Sequence, residues 1–171
     1  MLISESGLRE WVDFDLDFAT LADRLTEAGL EASALTLVPL VSEAVIAGRI
    51  THLRPHPDAT NLSLCEVDSG PGPVIQVVCG AANAHVGMVA PLAIPGAILP
   101  NGSVIRPTTI RNEVSTGMLC SGAELGIDDS VSGLLDLDPS LTPGTSLNAH
   151  LDLGDQLLEI DLTPNRGDCL S

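Results

Sequence analysis

The chain has 171 residues, 44% of them hydrophobic, and a formal charge of −16 with seven arginines and no lysine. That apolar fraction supports a packed core and excludes a disordered polypeptide. The charge excludes general polyanion binding, because so acidic a surface repels nucleic acid at long range unless its few arginines are clustered.

The first segment is predicted helical. Ser4 is placed to cap a short helix running through Trp11, and Asp17 a second one to about Ala28. Phe18, Leu21, Ala22 and Leu25 recur at i, i+3, i+4 and i+7, one face of a helix. Gly29 follows where a left-handed C-terminal cap belongs. Asp13, Asp15 and Asp17 gather near the second helix start, where the helix dipole favours acids.

From about Pro39 the texture becomes β-like. Val41–Leu53 is predicted as a long strand ended by Pro55 and Pro57, followed by strands over Leu62–Val67 and Val74–Cys79. Val89–Ile94, Val104–Ile110 and Met118–Ser121 are further short segments, divided by Pro95-Gly96 and Pro100-Asn101-Gly102. About five short strands in such a span predict a small closed barrel. Beyond Leu147 another strand is expected over Gln156–Leu162, then a loop Thr163–Asp168, and the chain stops with no closing element. Truncation of a longer protein is the expectation.

Few residues carry chemistry of their own. Cys65, Cys79, Cys120 and Cys169 form no C-x-x-C pair, so a zinc site is not expected. Cys120 lies beside Ser121 without a base or oxyanion motif and is taken as a buried thiol. No glycine stands in a nucleotide-loop frame, and Gly80, Gly87 and Gly117 are taken as bends. His56, between two prolines, is weighed as a turn residue against an RNA contact, and Asp58 as a local turn former. With no signal peptide and no apolar run of membrane-spanning length, a cytoplasmic location is expected.

Three blocks carry a resemblance: His-Pro-Asp-Ala-Thr-Asn-Leu (His56–Leu62), Cys-Gly-Ala-Ala-Asn (Cys79–Asn83) and Gly-Met-Leu-Cys-Ser (Gly117–Ser121). They resemble the signature of tRNA-binding OB domains. With Leu8-Arg9-Glu10-Trp11-Val12, Leu25–Glu31, Ala93–Ala97, Leu125-Gly126-Ile127 and Glu159–Arg166, the whole chain resembles the N-terminal region of bacterial phenylalanine–tRNA ligase beta subunits. The resemblance implies an α+β fold: a small split α+β domain (1–38 with 151–171, truncated at its C-terminal end) and an inserted five-stranded OB-fold β-barrel at 39–150. It also implies an α2β2 enzyme with an alpha subunit as partner, joining phenylalanine to tRNA with ATP and Mg²⁺. The synthetic chemistry is implied for the alpha subunit, and editing and magnesium sites for later parts of the beta subunit. No catalytic, cofactor or metal residue is therefore assigned here. The expected role is a non-catalytic, tRNA-facing or scaffold module. A free-standing OB-fold RNA-binding module and a protein-interaction domain remain as alternatives, and neither DNA nor membrane is expected as a partner.

The candidate RNA-facing residues are Arg49, Arg54, His56, Asn61, Asn83, Arg106, Arg111, Ser115 and Ser121. Residues 39–150 hold four arginines against ten acids, with five of those acids and no arginine after residue 113. Trp11, Phe14 and Phe18 are the only aromatic residues, so the barrel lacks the stacking platforms that typically hold single strands at about 1–3 kcal/mol per base. Asn61 stands where relatives frequently carry lysine, and Arg-Pro-Thr-Thr-Ile (Arg106–Ile110) fills another stretch that is often lysine-bearing. Weak tRNA binding, or none, is expected of this chain alone.

Overall fold

The structure, a computed structural model, describes residues 1–36, 40–128, 130, 132–151 and 153–161. In chain order the elements begin β1 (Leu2–Ser4), α1 (Glu5–Arg9), α2 (Phe18–Glu27), β2 (Glu31–Thr36), β3 (Val45–Pro55), β4 (Ser63–Asp68) and β5 (Ile75–Cys79). They continue with β6 (Val89–Ala93), β7 (Thr108–Ile110), β8 (Glu113–Ser115), β9 (Met118–Leu119), α3 (Leu147–His150) and β10 (Gln156–Asp161). These fall into two compact units, Met1–Pro39 with Gly154–Ser171, and Leu40–Leu153.

In the first unit both helix starts follow from local hydrogen bonding. Ser4 Oγ accepts the Gly7 N–H at 3.1 Å, and Asp17 Oδ1 accepts the Thr20 N–H at 2.8 Å. At the end of α2, Gly29 has φ +91°; its N–H donates to the Thr26 carbonyl and that of Leu30 to the Leu25 carbonyl, which is a Schellman cap. The predicted apolar face holds: Phe18 and Ala22 are buried against Leu158 and Ile160, with Leu21 and Leu25 alongside. The sheet order is β1-β10-β2, all antiparallel, with Leu2 opposite Glu159 and Ala34 opposite Leu158. The expected pairing of the late strand with N-terminal residues is thus present over Gln156–Asp161. Leu162, the loop 163–168 and Cys169 lie outside the described residues.

The second unit is a nearly closed five-stranded antiparallel barrel of order β5-β4-β3-β6-β9. The Thr116 N–H, between β8 and β9, donates to the Gln76 carbonyl of β5 at 2.9 Å and draws the two ends of the sheet together. One apolar cluster fills the barrel, drawing on Ile50, Cys65, Val67, Val77, Leu92 and Leu119. A second, including Val45, Ala47, Val89, Ala93 and Leu125, lies on the other face of β3 and β6. This double coverage explains why all five residues of β6 are buried and why β6 lacks polar alternation. Gly48 marks a crowded crossing: a Cβ there would stand 2.8 Å from both Leu92 Cβ and Val67 Cγ1.

Two strand expectations need correction. The long strand begins at Val45 rather than Val41, because the Val41 N–H and carbonyl are bonded to the Asn148 side chain and Ser42–Val45 forms a turn. Val104–Ile110 is not one strand. Val104 makes an isolated bridge with Ile98, Pro107 interrupts, and Thr108–Ile110 pairs only with β8 in a separate hairpin. Its turn residues, Arg111 and Asn112, have φ +47° and +70°, the sign that a tight two-residue hairpin requires.

Candidate nucleic-acid interface

The three blocks occupy two places. The first forms a turn that holds the β7–β8 hairpin. His56 is 4% exposed; its Nδ1 accepts the Asp58 N–H at 3.0 Å, so the ring proton sits on Nε2 and donates to the Ile110 carbonyl at 3.2 Å. Asp58, expected to act within its own turn, instead uses Oδ2 to accept from Asn112 Nδ2 at 3.1 Å, while its carbonyl accepts from Arg111 Nη1 at 3.2 Å. The turn therefore grips the hairpin tip at three successive residues, Ile110, Arg111 and Asn112. Asn61 is exposed after this turn.

The second and third blocks meet along a cleft of about 690 Å³. Cys79, Gly117 and Ser121 line it, with Arg106, Ser115 and Glu124 supplying polar groups and Leu134 an apolar wall. Most of those polar groups have partners in the chain. Ser115, 2% exposed, accepts the Val78 N–H at 3.0 Å and donates to the Gly117 carbonyl at 2.9 Å, which ties the barrel's closing strands. Ser121 and Glu124 form a reciprocal box: the Ser121 N–H and Oγ donate to Glu124 Oε2, and the Glu124 N–H donates to Ser121 Oγ. The Asn83 side chain bonds both the Leu134 N–H and its carbonyl at 2.9 Å. Gly133 beside it has φ +103° and leaves no room for a Cβ against that amide.

The arginines are dispersed in role. Arg49 Nη2 donates to the carbonyls of Pro139 and Leu141, both at 2.9 Å, and so fastens a distant turn to the barrel. Arg54 faces Glu113 at 4.0 Å, an exposed pair of small energetic weight. Arg111 serves the hairpin tip, and exposed Arg106 at the cleft has no ion-pair partner among the described residues. Of the nine candidates, the structure therefore brings Arg106, Ser115 and Ser121 to the cleft. It draws His56, Arg54 and Arg111 to the hairpin and gives Arg49 and Asn83 internal roles. Sequence reasoning missed Gln76, Asn112 and Glu124. The Ser121-x-x-Glu124 spacing was the available signal for the last.

The thiols have contrasting environments. A hydrogen bond from Cys65 holds Cys79 below the usual thiol range, at about 7, against the opposing effect of burial. The same bond, with burial, pushes Cys65 up. Burial, aided by the charge of Glu124, pushes Cys120 up to about 12.

Residues 45–146 match the family model described as "Putative tRNA binding domain". Over all 171 residues the chain is 47% identical to the phenylalanine–tRNA ligase beta subunit of Methylococcus capsulatus and 48% identical to that of Nitrosococcus oceani. It spans 22% of the length of each. Among solved structures, a MetRS-related protein from Pyrococcus horikoshii overlays with a TM-score of 0.45 at 15% identity, covering 60% of this chain and 87% of that one.

Proposed function

Because the chain belongs to the tRNA-binding domain family through residues 45–146, we propose that it serves as the N-terminal module of a phenylalanine–tRNA ligase beta subunit. In this reading it is a non-catalytic scaffold that faces tRNA(Phe) without gripping it. It works in the cytoplasm beside an alpha subunit in an α2β2 enzyme, and that assembly joins phenylalanine to tRNA with ATP and Mg²⁺. Among the described residues no group of three or more His, Cys, Asp or Glu side chains is placed to hold a metal ion. No helix among the described residues is long and apolar enough to cross a membrane.

One observation carries the scaffold reading: the polar side chains of the signature blocks are bonded mainly to the chain's own backbone. His56 holds Ile110 and Asn83 holds Leu134, and Ser115, two residues ahead of the third block, holds Val78. Arg49, the barrel's best-bonded cation, is likewise turned onto carbonyls. That leaves Arg54, Arg106 and Arg111 as the exposed positive groups of the barrel. Three phosphate contacts give weak, salt-sensitive attraction with a log–log salt slope of roughly −2 to −3.

The test is a fluorescence-anisotropy titration of tRNA(Phe) at about 0.15 M salt, near physiological ionic strength. Binding weaker than micromolar is expected, with Arg54→Glu and Arg111→Glu together abolishing whatever is seen. Sub-micromolar affinity would overturn the scaffold reading, and equal binding by the double variant would remove these arginines from the contact.

A further inference from the structure

Among the described thiols, Cys79 is the one that lines the cleft. Cys65 and Cys120 are both 0% exposed, while Cys79, at the end of β5, is 6% exposed with the cleft beside it. In the β4–β5 register Cys65 stands opposite Val77 and Cys79 opposite Ser63, so the two thiols are diagonal neighbours on one face. Two donors converge on Cys79 Sγ, the Ala81 N–H at 3.4 Å and the Cys65 thiol. Both favour the thiolate, which is the form that reacts. Glu124 is the charge that acts against ionisation there.

The rest of the cleft defines what can meet that sulfur. A volume of about 690 Å³ takes a ligand of small-peptide size, and Ile110, Met118 and Leu134 give it apolar walls. Exposed Arg106 has no ion-pair partner among the described residues and offers its fork to a carboxylate. Glu124 commits Oε2 to Ser121 and leaves Oε1 for an ammonium group. A guanidinium, a carboxylate and a thiol around apolar walls match a small disulfide built from amino acids, which carries carboxylate, ammonium and sulfur together. A polyanion matches less well, because Glu124 stands among the lining residues. We propose that this cleft binds small amino-acid or peptide disulfides and that Cys79 exchanges with them, keeping half of the ligand attached. The Cys79 thiolate attacks one sulfur of the disulfide, a new S–S bond forms at Sγ, and the ligand's own S–S bond breaks. The other half leaves as a thiolate and takes a proton from water, so Cys79 is oxidised as that half is reduced. This site does not depend on the ligase reading above.

The test uses the whole folded chain, with Cys169, which lies outside the described residues, replaced by Ser throughout. The probes are glutathione disulfide and, as the uncharged reference, hydroxyethyl disulfide, read by intact mass and peptide mapping. One adduct is expected, on Cys79, formed about a hundredfold faster than any on Cys120, whose thiol is pushed up to about 12. Arg106→Gln should slow the glutathione reaction about threefold and leave the hydroxyethyl reaction unchanged, as loss of one exposed ion pair would. Cys65→Ala removes a donor to Cys79 and should move the midpoint of the rate–pH profile upward. Equal labelling of Cys65, Cys79 and Cys120, as exposure by unfolding would give, overturns the site, and so does a folded chain that forms no adduct. An Arg106→Gln variant that slows both disulfides equally, or neither, overturns the charged ligand. Each of these failures leaves the ligase reading standing.

Discussion

The turn at His56–Asp58 and the cleft between Cys79 and Ser121 both derive from signature blocks, yet they use their polar groups in different ways. At the turn, both His56 ring nitrogens and the Asp58 carboxylate and carbonyl point at neighbouring chain, and together they hold the hairpin tip. At the cleft, the same kind of internal bonding shapes walls around open space, and exposed Arg106 stands at its edge. The turn is a clamp, and the cleft is a concave surface that the barrel's closure leaves behind. A motif can therefore identify a fold while its most polar residues are unavailable to a ligand.

The largest expected effect comes from breaking the clamp. His56→Ala removes the acceptor of the Asp58 N–H and the donor to the Ile110 carbonyl, and empties a position where the imidazole is 4% exposed. A loss of about 2 kcal/mol in urea denaturation is expected. Amide exchange should accelerate over Thr108–Ser115 before it does so in β3–β6. A variant with unchanged stability and hairpin protection would show that the turn holds nothing.

The cleft answers to pH. Cys79 sits near 7 in the fold against an ordinary thiol value of 9.0, so its bonded thiolate favours the native state. A depressed acid contributes fully above its unfolded value and loses that contribution as pH falls through its folded value. Stability from this group should therefore rise between pH 7 and 9. Above 9 the trend reverses, because Cys65 and Cys120 are raised and lose their contributions as pH climbs through the alkaline range. Melting temperatures at pH 7, 8 and 9 check this; Cys79→Ser should remove the rise, and parallel profiles for parent and variant would contradict it.

What was legible in the sequence divides along a related line. The caps at Ser4, Asp17 and Gly29 could be read because their partners lie within four residues. The barrel strands could be read from alternation, although β6 has none because both of its faces are covered. The β7–β8 hairpin was missed because Arg-Asn is not the Asn-Gly or Asp-Gly pair that announces such a turn. The capture of Arg49 was also out of reach, since its acceptors are carbonyls of Pro139 and Leu141, about ninety residues away in sequence. Residue type marked the candidates at the cleft and the hairpin, and only tertiary contact decided which were already bonded.

The smallest expected effect separates charge from shape at the hairpin tip. Arg111 adopts φ +47°, a conformation that costs an L-residue roughly 1–2 kcal/mol and a glycine almost nothing. Arg111→Gly relieves that strain and loses one exposed hydrogen bond to the Asp58 carbonyl, worth at most about 1.5 kcal/mol. The two changes nearly cancel, so the denaturation midpoint should stay close to that of the parent. The lost cation should nevertheless reduce the salt slope of any tRNA binding by about one unit. A midpoint well below the parent's would show that the guanidinium bond, and not the backbone turn, secures the tip. A stable variant with an unchanged slope would place Arg111 away from phosphate and make the hairpin, like His56 beneath it, part of the scaffold alone.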